Sequence, residues 1–294
     1  MKIAVLAGGT SNEKEISLLS AKNVLETLKE LNYESELIDP TDKDFNKKIK
    51  EFDLIFNVLH GETGEDGKIQ GYFELNKVPY TCSEQKTCVV CFDKFLFYEL
   101  FKNKFKMPKT ILTKNYIDPP FKFPIFIKPN TGGSSKGVYI VHNEVEYKEK
   151  LEKNIKIYTE VLIQEAIKGT EISISFLEKD NEFVVLPILE ILPKNEFYDY
   201  EAKYKDGMTN FSIYESNKEI NKKINNIKEE IFKILKLKDI FRIDAIILND
   251  EVYVLELNTV PGLTKISDLP QSAKANNIEF NELIKIIIEN HRRD

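Results

Sequence analysis

Four polar side chains near the end of the chain have types and a spacing suited to phosphoryl chemistry: Arg242, Asp244, Glu256 and Asn258. They lie in the segment 241–263, where two runs rich in Ile, Val and Leu, 240–248 and 252–257, flank the turn signal Asn249-Asp250. This pattern predicts an antiparallel hairpin. Because side chains alternate between the two faces of a strand, the first two share one face, and the last two share another.

The chemistry of this hairpin depends on whether its register brings the two polar faces together. If it does, two carboxylates and an amide oxygen could bind Mg2+ jointly with nucleotide phosphates, and the arginine could stabilise a transferring phosphoryl group or an oxyanion. A surface hairpin whose charges are solvated or paired is equally compatible with the spacing. The spacing alone leaves both interpretations open.

A loop rich in glycine and serine, 130–137, is a second candidate for phosphate binding. It joins a predicted strand, 123–128, to another, 138–141, and such a loop can offer backbone N–H groups and hydroxyls to phosphates. It is not a Walker loop, because the G-x-x-x-x-G-K-[ST] pattern is absent and no helix follows directly. Lys128 ends the first strand and could bind phosphate, although a solvated lysine fits the sequence equally well.

Two later segments could complete a nucleotide site. The predicted strands 160–165 and 171–177 are joined by a short connector, which could offer backbone groups to an adenine edge, with Glu171 holding a ribose hydroxyl. Taken alone, this is only a pair of strands. The polar, tyrosine-rich segment 197–207 has no clear periodicity and is predicted to form a lid.

The N-terminal region has the pattern of a small open parallel α/β domain. Predicted strands at 2–6, 35–38 and 53–59 surround a helix that begins near Glu13. Ligands of such domains bind beyond the carboxyl ends of the strands, where Glu13 and His60 both lie. A dinucleotide fold is disfavoured, because Gly8-Gly9 does not belong to a full G-x-G-x-x-G pattern.

Glycines are concentrated in the segment 60–71, HGETGEDGKIQG, before a predicted helix. We expect these glycines to let the backbone approach a ligand or another loop closely, and a flexible loop is the alternative. Elsewhere, periodicity predicts helices at 83–103, 143–154, 217–236 and 281–290, a strand at 183–192 and a loop at 264–270. Asp93-Lys94 would lie in the middle of the first of these helices, on its exposed face.

Composition narrows the class of protein. The chain of 294 residues is long enough for two or three domains, and 42% hydrophobic with 31% charged residues is ordinary for a globular protein. A net charge of −6 argues against nucleic-acid binding. The start of the chain resembles a strand rather than a signal peptide, and no stretch approaches the roughly 20 apolar residues of a membrane span. We therefore expect a cytoplasmic protein.

The three cysteines, Cys82, Cys88 and Cys91, include one C-x-x-C spacing. This spacing could indicate redox or metal chemistry. However, no second pair exists, and the residues around Cys88 and Cys91 resemble the apolar middle of a helix. We expect buried, reduced thiols with a packing role.

The order of the motifs resembles that of the D-alanine–D-alanine ligases of the ATP-grasp superfamily, over essentially the whole chain. The matching pieces are AGGTSNEKEIS, HGETGEDGKIQG, Asp93-Lys94, IKPNTGGSSKG, FYDYEAKY, Arg242-Ile243-Asp244 and ELNTVPGLT. The resemblance implies an α/β (α+β) protein with an ATP-grasp fold. Its parts would be an N-terminal open parallel α/β domain at 1–85, a central α+β domain at 86–180 and a C-terminal antiparallel-sheet domain at 181–294. ATP would be clamped between the sheets of the last two.

The resemblance also implies how ATP and metal ions are held. Lys94 and Lys128 match phosphate ligands, 132–137 the flap over the phosphates, 164–167 the adenine hinge and Glu171 the ribose contact. The full set of implied ATP contacts is Lys94, Lys128, Ser135, Gln164, Glu165, Ile167, Glu171 and Lys203. The implied ligands of two Mg2+ (or Mn2+) ions are Asp244, Glu256 and Asn258, with Glu256 bridging the ions.

The implied reaction joins two D-alanines for peptidoglycan synthesis. The carboxylate of the first takes the γ-phosphoryl group of ATP, and the amine of the second attacks the acyl phosphate and expels phosphate. Arg242, with N–H groups near Gly262, would stabilise the oxyanion. Glu13 would pair with the ammonium of the first D-alanine, and His60 would lie beside it.

The resemblance implies that four further residues close the site and select the second substrate. Ser134 and Tyr204 resemble the pair that links the flap to the lid and excludes water. A tyrosine at the lid position accompanies dipeptide synthesis in the family, whereas ligases that form the D-alanine–D-lactate ester differ there. Ser267 is the candidate for the carboxylate of the second substrate, and Asp268 replaces the apolar residue expected beside it.

Two other functions fit the same motifs. One is an ATP-grasp ligase that joins D-alanine to D-lactate or another D-amino acid, and the other is a non-catalytic nucleotide-binding regulator. Against the regulator, the chain keeps all of these side chains: Lys94, Lys128, Arg242, Asp244, Glu256 and Asn258. The resemblance also implies a homodimer formed through the N-terminal domain, with D-alanine and ATP as substrates and neither nucleic acid nor membrane as a partner.

Overall fold

Three β-sheets organise the chain in the computed structural model, which describes residues 1–198 and 207–292. The first sheet has three parallel strands in the order β2-β1-β3: β1 (Lys2–Leu6), β2 (Glu34–Ile38) and β3 (Leu54–Asn57). Helix α1 (Lys14–Glu30) joins β1 to β2, and helix α2 (Phe45–Lys48) with a 3-10 turn (Ile49–Glu51) joins β2 to β3. This arrangement confirms the predicted parallel α/β unit.

Apolar side chains cover both faces of the first sheet. Val5 and Phe56 pack on one face in a cluster that includes Leu28 of α1 and Ile284 near the end of the chain. Helix α3 (Lys68–Asn76) supplies Phe73 to the cluster on the opposite face. Burial on both faces explains why the strands of a parallel sheet are nearly continuous apolar runs.

The predicted helix at 83–103 is wrong, because two helices occupy this segment. Helix α4 (Gln85–Phe92) ends and helix α5 (Lys94–Phe101) begins at Asp93, whose backbone is extended with φ −82° and ψ 97°. The Asp93 carboxylate accepts hydrogen bonds from the N–H of Leu96 at 2.9 Å and from the Asn130 amide at 3.0 Å. A capping residue held by a distant side chain therefore breaks the helix.

The cysteines have the packing role that we expected. Cys82, Cys88 and Cys91 are free and buried, and the last two lie within α4. Burial raises the pKa of the Cys88 thiol to about 12, so this group stays protonated at neutral pH.

The second sheet has four antiparallel strands in the order β4-β7-β5-β6. Its strands are β4 (Thr110–Thr113), β5 (Ile125–Pro129), β6 (Tyr139–Val141) and β7 (Val161–Glu165). Helix α6 (Glu144–Ile157) begins after Asn143, whose side chain accepts a hydrogen bond from the N–H of Glu146. The helix buries Tyr147 and Leu151 against Ile125 and Ile163 of the sheet.

The third sheet has six antiparallel strands and contains the hairpin. Its strands are β8 (Thr170–Lys179), β9 (Glu182–Val185), β10 (Leu189–Pro193), β11 (Thr209–Ile213), β12 (Ile240–Leu248) and β13 (Glu251–Asn258). Helix α7 (Lys218–Phe232) packs its isoleucine face against this sheet. The rings of Phe176 on β8 and Phe241 on β12 stack at 4.3 Å, which fixes the central strands together.

Three further predictions need correction. The strand at 183–192 is two strands, because Pro187 interrupts it and has no N–H to donate to a ladder. Helix α8 (Asp268–Ala275) begins inside the predicted loop 264–270, and the final helix is α9 (Phe280–Asn290). Helix α3 begins at Lys68, so Gly71 lies inside a helix rather than before one.

The sheets confirm the predicted fold class, with a parallel first sheet and two antiparallel sheets after it. The predicted domain boundaries after residues 85 and 180 stay a prediction. Strand β8 precedes the second boundary and pairs with β12 in the third sheet. Within residues 1–198 and 207–292, no helix has the length and apolar character needed to cross a membrane.

The loop from His60 to Gly67 is tightly packed rather than flexible. Gly64 is buried, and its carbonyl accepts hydrogen bonds from the side chains of Asn57 at 3.2 Å and Gln70 at 2.6 Å. A Cβ added to Gly64 would lie 2.4 Å from the Cβ of Leu59 and 2.7 Å from its carbonyl carbon. The expected close backbone approach is therefore an approach to the end of strand β3.

We predict that Gly64→Ala destabilises the fold by about 1–3 kcal/mol, because backbone atoms of Leu59 cannot move away without disturbing β3. The free energy of unfolding, measured by urea denaturation, checks this. Glu62→Ala, at an exposed position of the same loop, is the control and should change stability by less than about 0.5 kcal/mol. Equal stability of the two variants would contradict the packing described for this loop.

Candidate active site

Two adjoining cavities contain every predicted site residue in the described part of the chain. The first is lined by Glu13, His60, Lys94, Ser134, Arg242, Glu256, Asn258, Gly262 and Ser267. The second adds Lys128, Ser135, Gln164, Glu165, Ile167, Glu171 and Asp244. Six residues line both cavities: Lys94, Gly132, Gly133, Ser134, Tyr198 and Glu256. Tyr204 and Lys203 lie outside the described residues, so their roles stay predictions.

The register of the hairpin brings its four polar side chains onto one face. Arg242 pairs directly with Asn258, and Asp244 pairs directly with Glu256. Residues that face each other across antiparallel strands point to the same side of the sheet, about 5 Å apart. A bulge follows at once, since Ala245 pairs with Val254. Asp244 is only 7% exposed, so a hairpin with solvated charges is wrong. The paired charges of the same alternative are present, since Asp244 forms an ion pair with Arg242.

Arg242 is held between two carboxylates. Its Nε and Nη2 donate to the two carboxylate oxygens of Asp244 at 2.6 and 2.9 Å, and its Nε lies 3.6 Å from Oδ2 of Asp268. Burial opposes the charged form, but the neighbouring charges of Asp244 and Asp268 outweigh it and raise the pKa of Arg242 well above its ordinary value. The cavity therefore contains a permanent cation beside its oxygen donors.

The oxygen donors of the hairpin suit a divalent cation. Asp244 and Glu256 supply carboxylates, and Asn258 supplies an amide oxygen that accepts a hydrogen bond from the N–H of Val260 at 2.8 Å. Within 1–198 and 207–292, no three His, Cys, Asp or Glu side chains form a complete metal site by themselves. A set of two carboxylates and one amide leaves positions for phosphate oxygens and water, as Mg2+ prefers.

Cationic groups neutralise these carboxylates in the structure. Lys94, the first residue of α5, places its Nζ 3.3 Å from Oε2 of Glu256 and donates to the carbonyl of Gly132 at 2.8 Å. Because the helix break at Asp93 lies directly before it, Lys94 projects from a helix start rather than from the exposed helix face that the sequence predicted. A lysine at this point can reach both the hairpin and the 130–137 loop.

The glycine- and serine-rich loop packs against the N-terminal unit. Ser134 Oγ donates a hydrogen bond to the Glu13 carboxylate, and Lys136 Nζ donates to the carbonyl of Asn12 at 2.9 Å. A Cβ added to Gly133 would lie 2.8 Å from Oε2 of Glu13. Gly133 therefore lets the loop approach this carboxylate closely without displacing the Glu13 side chain.

Ser135 connects the same loop to the predicted lid. Its Oγ donates to the carbonyl of Tyr198 at 2.9 Å, and both Ser134 and Ser135 have left-handed backbones with φ 54° and 55°. Burial raises the pKa of Tyr198 above its ordinary value, and the Asp268 charge adds to this effect. Tyr198 is thus a neutral donor at physiological pH, and its hydroxyl donates to Oδ1 of Asp268 at 3.2 Å.

Lys128 is buried in the second cavity. Its Nζ donates to Oε1 of Gln164 at 2.9 Å, and the Gln164 amide donates to the hydroxyl of Thr110 at 2.8 Å. The alternative of a solvated lysine is therefore wrong. Next to it, a carboxylate oxygen of Glu165 accepts from the N–H of Lys109 at 2.9 Å, which secures the end of β7.

An acidic side chain, the partly buried Glu65, contacts His60 in the first cavity. Nδ1 of His60 lies 3.2 Å from Oε1 of Glu65, and Nε2 lies 3.4 Å from the hydroxyl of Ser20. Burial raises the pKa of Glu65, the hydrogen bond with His60 opposes this, and the nearby charge of Glu13 raises it further. Sequence reasoning missed Glu65, although it lies five residues after His60 in the glycine-rich segment.

Gly262 and Ser267 form a compact corner at the start of α8. Ser267 Oγ lies 2.7 Å from the hydroxyl of Thr264 and accepts from the Thr264 N–H at 3.2 Å. A Cβ added to Gly262 would lie 2.7 Å from the same Oγ.

Sequence reasoning also missed Tyr198 as an individual contact, and only its place in the lid segment indicated it.

Comparisons with known proteins agree with this geometry. Family models for the D-ala D-ala ligase N-terminus and C-terminus match residues 34–83 and 94–289. A D-alanine–D-alanine ligase from Petrotoga mobilis is 54% identical over 99% of this chain and 98% of its own length. The crystal structure of the ligase from Bacillus anthracis superposes with a TM-score of 0.87 at 34% identity, covering 100% of this chain and 98% of that one.

A second crystal structure of the Bacillus anthracis enzyme contains ATP. It superposes with a TM-score of 0.85 at 32% identity, and it covers 100% of this chain and 98% of that one. The family models match from strand β2 of the parallel unit through the two antiparallel sheets, and the match to the relative from Petrotoga mobilis covers 99% of the chain. The chain therefore belongs to the D-alanine–D-alanine ligase family.

Proposed function

We propose that the chain uses ATP to ligate two D-alanines to D-alanyl-D-alanine, which supplies peptidoglycan precursor synthesis. One observation carries the proposal. The hairpin register gathers a cation and three oxygen donors where the two cavities share a wall. One cavity then suits the two small substrates and the other suits the nucleotide, with the reacting groups meeting between them.

In the first step, a carboxylate oxygen of the first D-alanine attacks the γ-phosphorus of ATP, and ADP leaves. Lys94 and Lys128 would hold the phosphates. Lys128 is buried in the second cavity and Lys94 is partly buried beside Glu256, which supports this role. Asp244, Glu256 and Asn258 would hold two Mg2+ (or Mn2+) ions. These ions would screen the charges that otherwise keep a carboxylate away from ATP.

In the second step, the amine of the second D-alanine attacks the acyl carbon, and phosphate leaves. Arg242, with backbone N–H groups near Gly262, would stabilise the tetrahedral oxyanion, and the raised pKa of Arg242 supports this role. Ser267 would bind the carboxylate of the second substrate. Its place at the start of α8 supports that assignment, because helix N-termini favour anions.

The first D-alanine would be held through its ammonium by Glu13, with His60 beside it. Both residues are buried in the first cavity. Ser134 already contacts Glu13, so the flap and the first substrate would meet at one carboxylate. Tyr204 would complete the closure against water from the lid.

The nucleotide would occupy the second cavity. Gln164, Glu165 and Ile167 would contact the adenine, Glu171 the ribose, and Ser135 and Lys203 the phosphates. The described members of this set line the cavity together, which supports the assignment.

We also propose a cytoplasmic location and a homodimer formed through the N-terminal domain. ATP is a cytoplasmic substrate, and three free, buried thiols are usual for a reducing compartment. Leu18, Leu19 and Leu37 are large apolar side chains exposed on the N-terminal unit, and a partner subunit would cover them.

We predict that phosphate release from ATP requires both D-alanine and Mg2+, and that the product has the mass of the dipeptide. A phosphate assay and mass spectrometry check this, with L-alanine as the control. Panels containing D-lactate and other D-amino acids as second substrate separate the dipeptide activity from its close alternatives. ATP binding without turnover would instead support a regulator and contradict the proposal.

We predict that Glu256→Gln lowers kcat roughly a thousandfold, because metal stabilisation of the transferring phosphoryl group is worth several kcal/mol. Steady-state kinetics at saturating Mg2+ check this. Glu251→Gln is the matched control. It lies at the other end of β13, pairs with Lys223 at 2.9 Å and lines neither cavity, so its kcat should stay close to that of the native enzyme. Near-native turnover by Glu256→Gln would show that the metal assignment is wrong.

We predict a particle of twice the 34.1 kDa chain mass, measured by light scattering after size-exclusion chromatography. Leu19→Arg should shift it towards the monomer, because a charge in a desolvated apolar contact is costly. Val145→Arg, an exposed apolar position on α6, is the control and should leave the dimer intact. A native monomer at micromolar concentration would rule out the proposed dimer.

A further inference from the structure

The two carboxylate oxygens of Asp268, which lines the first cavity, differ in their partners within the described part of the chain. Its side chain is 4% exposed, and Oδ1 is committed to the Tyr198 hydroxyl at 3.2 Å. Among residues 1–198 and 207–292, Oδ2 is buried without a hydrogen-bond partner, and it lies 3.6 Å from Nε of Arg242. A buried carboxylate oxygen left in this state is unfavourable and requires an explanation. The separation from Arg242 is too long for a hydrogen bond but short enough for a small movement to form one.

Arg242 and a metal ion would compete for the same carboxylate. The guanidinium now occupies both oxygens of Asp244, at 2.6 and 2.9 Å. A Mg2+ ion bound by Asp244 would need at least one of these oxygens at about 2.1 Å in a nearly octahedral arrangement. Each oxygen of Asp244 keeps a lone pair beside its hydrogen bond, so the metal ion and the guanidinium would share this carboxylate. The positive charge of the ion would then weaken the pairing of Asp244 with Arg242.

A buried guanidinium whose pairing with its carboxylate is weakened needs another anionic partner, since an unpaired buried charge is strongly unfavourable. Asp268 is the second carboxylate beside the guanidinium, with Oδ2 3.6 Å from Nε. Asp268 is also the first residue of α8, where the helix dipole favours a negative charge. Both properties suit this carboxylate to receive Arg242.

The 130–137 loop orients the side chain of Asp268 through contacts with Tyr198. Ser135 of that loop donates to the Tyr198 carbonyl at 2.9 Å, and the Tyr198 hydroxyl donates to Asp268. The ring of Tyr198 packs edge-on against Phe211 at 6.4 Å, which restricts its movement. With Oδ1 held by Tyr198, Oδ2 is the oxygen that remains available to Arg242.

We propose that Asp268 is a positioning residue for Arg242. When Asp244 binds a metal ion, the carboxylate of Asp268 receives the guanidinium of Arg242, and Asp244 is then free to act as a metal ligand. This inference rests on the proposed function, because it requires the metal site at Asp244. It gives a physical reason for an aspartate where the family pattern has an apolar residue. It also keeps Arg242 close to the carbon that the second substrate attacks.

The test measures metal binding rather than turnover. Mn2+ is titrated into the full-length protein in the presence of a non-hydrolysable ATP analogue. The concentration of free Mn2+ is measured by electron paramagnetic resonance. We expect Asp268→Asn to weaken Mn2+ binding about tenfold, at the low end of the range for residues that orient metal ligands. Asn keeps the shape and the acceptor for Tyr198, and Asp268→Ala serves as a second variant with the same expected direction. Thermal melting verifies that each variant is folded.

A double-mutant cycle separates this role from a plain charge effect. In the Arg242→Met background, Asp268→Asn should change the Mn2+ affinity less than twofold, because the competitor for Asp244 is gone. An equal loss of affinity in both backgrounds would mean that Asp268 acts as a distant charge, and the inference would be overturned. No loss in the native background would also overturn it.

A fourth substitution, at Asp244, distinguishes failure of the inference from failure of the metal site. Asp244→Asn should remove most of the Mn2+ binding. If it does, and Asp268→Asn has no effect, then only the positioning role of Asp268 is wrong. If Asp244→Asn binds Mn2+ as the native protein does, then the proposed metal site is wrong and the inference falls with it. The phosphate-release assay reports separately on the ligase activity.

Discussion

The pairing of β12 with its two neighbours is the constraint on which the rest of the site depends. Strand β12 pairs with β8 along eight residues from Ile240 to Ile247 on one side and with β13 on the other. A slip of one residue would turn every side chain of the strand to the opposite face. Buried rings of Phe176 and Phe241 lie on the core face and oppose such a slip. The same packing that stabilises the sheet therefore determines where Arg242 and Asp244 point.

The second organising feature is the loop between β5 and β6. Its contacts reach Glu13 in the parallel unit, Lys94 at the start of α5 and Tyr198 after β10. Each contact joins segments that are distant in the sequence. Movement of this loop would therefore displace the groups proposed to bind the first substrate and the phosphates, and also the tyrosine that contacts Asp268 beside Arg242.

Charge balance connects these features. Each carboxylate proposed to bind metal has a cationic neighbour, Asp244 with Arg242 and Glu256 with Lys94. Buried ions require such partners because desolvation is costly. The internal pairs thus balance these charges before ligands enter, and binding of phosphates and metal ions would exchange these partners for new ones. These ion pairs hold the charged side chains of the site together, and both cavities remain present beside them.

The sequence by itself determined the features that depend on local pattern. Alternation and the Asn249-Asp250 turn predicted the hairpin, and both turn residues have the positive φ that such turns need. The motif order predicted the fold class and the family. The split of 183–192 at Pro187 was also encoded locally, by a residue without an N–H. Only the tertiary structure decided the break at Asp93 and the roles of Glu65 and Asp268 as neighbours of His60 and Arg242. Most of these depend on contacts between distant residues, such as Asn130 with Asp93, which no local pattern encodes.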